Sequence, residues 1–331
     1  MDFFRLLAIA AVIVIHTTPF NIEPGDLGNK LNLPLFVNQI SRFAVPFFFV
    51  ISGFFWASKI DHSKSVLKPS LKTAYRIIFI FFAWSTVYFF TKTGVDRFFE
   101  CGIVCFVKSS YWNLTDQIKV SNSIFFEGTK VHLWFLVALL SCVIISAILL
   151  SKCLIFSLGF ISVLMYCVAL AGKPYIDTPI GFSSNFNFRN GPFFGLIFFV
   201  SGYFLQNQRP KESWLHKGIL LTCVGFFMAF AEAFIINKFW GTPMNHDFLL
   251  GTYFVGVGVA MIALSDHVIF RSKMSSFLGQ LVLGIYAIHF LFIDIMISIG
   301  NQFSGNVTWE ISYPIAVFIL SSASVYLMSL N

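Results

Sequence analysis

The chain has 331 residues, of which 57% are hydrophobic and only 11% are charged, and its formal net charge is +7. Soluble globular domains carry about 25% charged residues, so this composition excludes an ordinary water-soluble fold. The excess of Lys and Arg falls between long apolar runs, where basic residues set membrane topology. We therefore expect membrane lipids, and not nucleic acid, to be partners of this chain.

Apolar runs recur along the whole chain, and each is long enough to approach the ~30 Å thickness of a hydrocarbon core. Helices satisfy their own backbone polar groups in lipid, so the runs predict an all-α, polytopic bundle of about ten transmembrane helices. We assign residues 1–331 to a single transmembrane domain. The predicted spans, in chain order, are 3–18, 42–59, 73–91, 133–151, 153–171, 192–206, 218–236, 248–265, 279–298 and 310–330.

The distribution of Lys and Arg predicts the orientation of these spans. With the N-terminus inside, the short inner segments hold 12 of the 22 basic residues, although the outer segments are more than twice as long. The denser side is expected to be cytoplasmic, which places both termini in the cytoplasm. The outer segment 92–132 contains Cys101 and Cys105, whose spacing allows a disulfide bond.

Ionisable side chains inside a membrane are costly and usually functional. Those well within predicted spans are His16, Glu232, His289 and Asp294. Others lie at the predicted outer ends of spans, namely Arg42, His132, Arg189, His246 and Asp247, or at the inner ends, namely Arg5, Lys72 and Arg76. A packing role for each histidine, and an anchoring role for the residues at span ends, remain open alternatives.

Several motifs resemble one known family. The first span carries Arg5 and, eleven residues later, His16. Further stretches follow in order along the chain: Arg42-Phe-Ala-Val-Pro, His132-Leu-Trp, Arg189-Asn-Gly-Pro, Glu232, His246-Asp247 and Tyr286-x-x-His289. The ordered set resembles the membrane acyltransferase-3 family, which includes O-antigen and enterobacterial common antigen O-acetyltransferases.

The resemblance implies an O-acetyltransferase of the bacterial inner membrane. Its donor would be cytoplasmic acetyl-CoA, with no tightly bound cofactor and no metal, and its acceptor a hydroxyl of an extracytoplasmic or lipid-linked glycan. The resemblance also implies that His16 is catalytic and that Arg5 helps to hold the coenzyme.

The residue types fit this chemistry. A sugar hydroxyl needs a general base, and we predict that His16 supplies it, oriented by Glu232 or Asp294. Lys72 and Arg76, with Arg5, would meet the phosphates of CoA. The residues predicted to bind the acceptor or stabilise the oxyanion are Arg42, His132, Arg189, His246, Asp247 and His289.

Other functions remain open at this stage. Direct transfer and a covalent acyl-histidine intermediate are not separated by the sequence. A transporter or flippase of a lipid-linked glycan would share the ten spans and the buried charges, and a glycan polymerase is also polytopic. A purely structural protein is disfavoured by Glu232 and by the histidines inside the spans.

Overall fold

The computed structural model describes residues 1–19, 32–63, 65–92, 102–105, 107–109, 111–112, 124–265, 267, 270, 273–300, 303 and 306–330. Regular structure within these residues is helical, with no β-strand, which confirms the predicted all-α class. The helices are α1 (Asp2–Thr17), α2 (Leu33–Ser41), α3 (Ala44–Asp61), α4 (Leu67–Lys92), α5 (Ile124–Glu127), a 3₁₀ turn (Val131–Leu133), α6 (Trp134–Ser151), α7 (Ile155–Gly172), α8 (Pro192–Gln208), α9 (Trp214–Trp240), α10 (Leu250–Leu264), α11 (Lys273–Gly300) and α12 (Val307–Ser329).

Each predicted span overlaps one of these helices, while the short α2 and α5, and the helical residues at 102–105, 107–109 and 111–112, fall in segments predicted as loops. Within the described residues, six stretches are long and apolar enough to cross a membrane: Leu33–Asp61, Val131–Ser151, Ile155–Gly172, Trp214–Trp240, Lys273–Ile297 and Val307–Ser329. Helices α1, α8 and α10 have 16, 17 and 15 residues, fewer than the ~20 of a full span. The count of ten spanning helices therefore stays a prediction.

Helices α1, α3, α8 and α10 form the interior of the bundle, with 7 of 16, 9 of 18, 9 of 17 and 11 of 15 residues buried, respectively. The outer helices α4, α7, α9 and α12 instead expose large apolar side chains, as shown by Phe79, Phe156 and Phe227. Such continuous apolar surface is unusual for a protein in water and is what a bilayer covers. The fold therefore places the polar groups of the inner helices in an interior surrounded by lipid-facing helices.

Two small residues let α3 and α8 approach closely. A Cβ added at Gly53 would overlap the backbone carbonyl oxygen of Phe199, and one added at Gly202 would overlap that of Val50. Small residues are enriched where membrane helices cross because they bring the two backbones together. Gly53 and Gly202 thus meet at one helix crossing.

Replacement of Gly53 tests this crossing. We expect Gly53→Ala to lower the yield of folded protein and its thermal stability by a few kcal/mol, since the backbone of α8 must move to admit a methyl group. Gly159→Ala is the matched control, because an added Cβ there meets no atom within 4 Å. Thermal unfolding in detergent measures both variants, and equal stability would argue against the tight crossing.

Candidate active site

Three histidines from three parts of the chain meet inside the bundle. The ring of His16 on α1 lies 5.7 Å from that of His289 on α11, and the ring of His132 lies 5.1 Å from that of His289. Phe290 packs against His16 and His132, with ring centroids 4.6 Å from each. Within the described residues, no group of metal-ligating side chains is arranged to hold an ion. Imidazole groups placed this close together can exchange protons with a bound substrate.

Hydrogen bonds hold this histidine cluster to the scaffold. The Tyr286 hydroxyl donates to the backbone carbonyl of His132, and the Tyr88 hydroxyl donates to that of Ala287 at 2.6 Å. His289 Nδ1 lies 2.7 Å from the Tyr286 carbonyl oxygen. Because a carbonyl oxygen only accepts, Nδ1 carries the proton of that bond and points Nε2 away from it.

One imidazole nitrogen of the cluster lacks a partner among the described residues. His289 is 0% exposed, yet its Nε2 makes no hydrogen bond to any residue that the structure describes. An unsatisfied buried polar group costs about 1–3 kcal/mol, so its retention needs an explanation such as a bound substrate or a catalytic role.

An ion pair borders the cluster. Lys130 Nζ contacts both carboxylate oxygens of Asp294, at 2.6 and 2.8 Å, and lies 5.4 Å from the ring centroid of Phe290. Asp294 therefore pairs with Lys130, which lies over Phe290 beside the histidines. The sequence did not predict this cationic partner.

Asp247 is the centre of a second group, which we call the Asp247 cluster: Asp247, Arg42, Lys173 and Arg189. The Asp247 carboxylate pairs with Arg42, with Lys173 Nζ at 2.5 Å and with Arg189 NH1 at 3.5 Å. Burial opposes ionisation of Asp247, but the three cations outweigh it and hold the pKa of this carboxyl well below its usual range. Ion pairs from Asp247 to three cations therefore hold the cluster together.

The two groups form one site. His16 interacts electrostatically with His289, Arg189, Arg42 and Asp247. Arg189 also lies over the ring of Trp134, 4.8 Å from its centroid, in the helix that follows His132. The structure thus brings Arg42, Arg189, Asp247 and His289 within electrostatic range of His16, and His132 into contact with His289, although these residues come from distant parts of the sequence.

His246 lies beside this cluster and gives it a pH dependence. Burial first, and then the charge of Arg42, lower the pKa of His246 to about 4. The unfolded chain binds this proton near pH ~6.5, so acidification from pH 7 to pH 5 favours unfolding by about 2 kcal/mol. We expect His246→Gln to lose this part of the acid sensitivity in thermal unfolding, while the exposed His216→Gln keeps it. An unchanged pH profile in His246→Gln would contradict the burial of a neutral imidazole.

Glu232 was predicted to orient His16, and the structure places it elsewhere. Its carboxylate accepts hydrogen bonds from the Tyr175 hydroxyl and from the backbone amides of Leu250 and Gly251, at 2.9 and 3.2 Å for the two amides. These amides are the first two of α10, so Glu232 caps that helix and complements its dipole. None of its described contacts is with His16, and His289 is the polar side chain that lies beside His16 instead.

A conservative change separates the two roles of Glu232. We expect Glu232→Gln to lower stability by about 1 kcal/mol, because the amide keeps one acceptor and loses the charge at the helix N-terminus. Turnover per folded molecule should change less than twofold. A large fall in turnover with unchanged unfolding temperature would restore the catalytic assignment of Glu232.

The residues predicted to bind the coenzyme lie apart from this site. Lys72 and Arg76 are exposed on α4 and interact electrostatically with Lys59 at the end of α3. Arg5 instead pairs with Asp2 on its own helix, at 3.3 Å. Arg76 and Tyr88 are twelve residues apart on α4, about 18 Å of helix. Helix α4 therefore extends from the exposed basic residues Lys72 and Arg76 to Tyr88, which contacts the histidine cluster.

Sequence reasoning missed several residues of the site. Lys130, Lys173 and Glu127 lie in or beside predicted outer loops, where a charged residue is usually solvated. Each proves to pair with a site residue: Lys130 with Asp294, Lys173 with Asp247, and Glu127 with Arg189 at 3.9 Å. The available signal was proximity in sequence, since Lys130 and Glu127 closely precede His132.

Comparisons with known proteins bear on the whole chain. Residues 1–330 match the family model described as an acyltransferase domain. One amino-acid racemase of Enterococcus faecalis is 26% identical over 318 residues, which is 91% of this chain and 42% of that protein. The serine/alanine racemase of Enterococcus gallinarum is 25% identical over 259 residues, which is 72% of this chain and 34% of that protein.

The chain thus spans less than half the length of these relatives. No solved structure matches it significantly. The family match extends over nearly every residue, including all those of the site. The chain therefore belongs to the acyltransferase-3 family.

Proposed function

We propose that this protein is a membrane O-acetyltransferase, which moves an acetyl group from cytoplasmic acetyl-CoA to a hydroxyl of an extracytoplasmic or lipid-linked cell-surface glycan. The observation that carries the proposal is the convergence of His16, His289 and His132 beside the Asp247 cluster, in a chain whose family is an acyltransferase family. That arrangement combines a base, its polar neighbours and cationic groups.

The chemistry follows from these groups. His16 takes the proton of the acceptor hydroxyl as its oxygen attacks the thioester carbonyl carbon. The carbon–sulfur bond then breaks, and the imidazolium returns the proton to the departing thiolate, which leaves CoA and an acetyl ester. Arg189 and Arg42 lie within electrostatic range of His16 and are suited to stabilise the oxyanion. A covalent acetyl-histidine would use the same groups in two steps.

The donor side of the proposal rests on α1 and α4. Each helix carries basic residues at one end, Arg5 on α1 and Lys72 and Arg76 on α4, and reaches the histidine cluster at the other. The two distances along the helices are similar, about 16 Å from Arg5 to His16 and about 18 Å from Arg76 to Tyr88. A coenzyme whose phosphates meet the basic end would thus direct its thioester inward, towards His16.

The same orientation fits ten spanning helices, with both termini in the cytoplasm of a bacterial inner membrane. Cys105 is disulfide-bonded; Cys101, whose spacing would allow it to pair with Cys105, lies outside the described residues. Disulfide bonds persist in oxidising compartments, so this bond supports an extracytoplasmic position for the segment that contains Cys105. Racemisation is not part of the proposal, because the acyltransferase domain model accounts for the whole chain.

Cells that express the chain test the proposal. We expect ester-linked acetate on surface polysaccharide, released by mild alkali and quantified by NMR, in hosts that offer different glycans. Membranes from the same cells should transfer labelled acetyl groups from acetyl-CoA to glycan. A transporter or flippase would instead move lipid-linked glycan without acetylation, so unchanged acetate in every host would favour that alternative.

A further inference from the structure

A cavity of about 250 Å³ opens beside the Asp247 cluster. Its walls come from the segments that follow α2, α7 and α9. They comprise Arg42, Lys173, Pro174, Ile176, Asp177, Thr242, Pro243, Asn245, His246 and Asp247. Sites for drug-sized ligands begin near ~300 Å³, so this cavity suits a single sugar ring better than a longer glycan segment.

The charges that line the cavity are balanced. Arg42 and Lys173 oppose Asp247 and Asp177, and Asp247 already pairs with both cations. Arg42 also donates from Nε to Asn38 at 2.9 Å and from NH2 to Asn245 at 3.3 Å, and Lys173 donates to Asn187 at 2.9 Å. Cations engaged in this way leave no net charge to attract an anion, but their remaining N–H groups can donate to hydroxyls.

Two polar atoms of the cavity wall have no partner in the part of the chain that the structure describes. Thr242 and His246 are 2% and 8% exposed, and neither Thr242 Oγ1 nor His246 Nε2 makes a hydrogen bond to a described residue. A hydroxyl and an imidazole nitrogen each pair readily with a sugar hydroxyl, which both donates and accepts. The two atoms lie in one short segment that also supplies Asn245 and Asp247.

We propose that this cavity is the acceptor subsite and that it takes one neutral, hydroxyl-rich sugar unit, with Thr242, Asn245, His246 and Lys173 contacting its hydroxyls. The inference rests on the proposed function and adds the class of acceptor. Asp247 and Arg42 belong both to the cavity wall and to the electrostatic surroundings of His16, so the bound sugar lies on the side from which His16 is approached.

Thr242→Val is the informative substitution. Among the described residues its hydroxyl has no hydrogen-bond partner, so the variant should fold as well as the parent. If the hydroxyl does not contact the sugar, its removal will leave sugar binding unchanged. Thr308→Val is the matched control, since Thr308 is exposed and lies on α12 away from the cavity. Each protein is purified in lipid nanodiscs and examined by saturation-transfer difference NMR, with methyl glycosides of neutral hexoses and N-acetylhexosamines, methyl glycosides of uronic acids, and inorganic phosphate as probes.

We expect at least one neutral glycoside to bind the parent and the Thr308→Val control equally, and to bind Thr242→Val about fivefold to tenfold more weakly. Tighter binding of uronates or phosphate, equal binding by Thr242→Val, or no binding of any glycoside to the parent would overturn the neutral-sugar subsite. Release of CoA from acetyl-CoA in the same preparations reports on the proposed function separately. If a neutral sugar binds but no His16-dependent release of CoA is detected, the proposed acetyltransferase function is refuted and the proposed sugar subsite is retained.

Discussion

His16→Ala is expected to reduce acetyl transfer by about 10²- to 10⁴-fold, the range that a positioned general base contributes. The structure supports this because His16, which packs beside His289 as His132 does, is also within electrostatic range of Arg42, Arg189 and Asp247. The rate of CoA release from acetyl-CoA in membranes, at matched amounts of protein, measures the effect. The exposed His216→Ala should keep the parental rate.

The histidine also packs against Phe290, so loss of activity could arise from packing alone. Added imidazole separates the two causes, because a small base can enter the space left by the side chain. We expect imidazole to restore part of the activity of His16→Ala and none to a variant damaged only in its fold. Full activity of His16→Ala without imidazole would refute the mechanism, although the family assignment would stand.

Asp247→Asn is expected to be the most destabilising polar substitution in the site, with a cost of about 3–5 kcal/mol. Its carboxylate is only 20% exposed and pairs with Arg42, Lys173 and Arg189, whose mutual repulsion it reduces. Without that charge, three partly buried cations repel one another around an amide. Thermal unfolding in detergent should show a large fall in transition temperature, accompanied by loss of acetyl transfer.

Asp177→Asn provides the matched control for this change, because Asp177 lines the same cavity but is exposed. Its unfolding temperature should stay close to that of the parent. A similar stability for the two variants would show that the cations do not depend on Asp247.

Acid titration gives a second readout for Asp247. The three cations hold its folded-state pKa below the usual range, so its contribution is fully present above pH ~3.9 and is lost as the pH falls further towards the folded-state pKa. The parent should therefore lose stability below about pH 4 through this group. Asp247→Asn should lack that loss, while the separate effect of His246 falls between about pH 6.5 and 4.

The sequence by itself determined the class of fold and most members of the site. Long apolar runs leave a chain little choice other than helices in lipid, so the predicted spans coincide with helices to within a few residues. Ionisable residues in such runs are expensive, which singled out His16, His289 and Glu232 without any knowledge of contacts. The family resemblance added the expected roles of Arg5 and His16.

Only the tertiary structure decided which of these residues meet. Glu232 has the features of a catalytic carboxylate in sequence, yet the fold directs it to the first amides of α10. His289 takes the place beside His16, and Lys173 joins Asp247 from a predicted loop. The free-energy cost of placing an ionisable side chain in the membrane depends on that residue and its local sequence, so the sequence reveals it. Which side chains contact each other depends on how distant helices pack, and local sequence does not specify that packing.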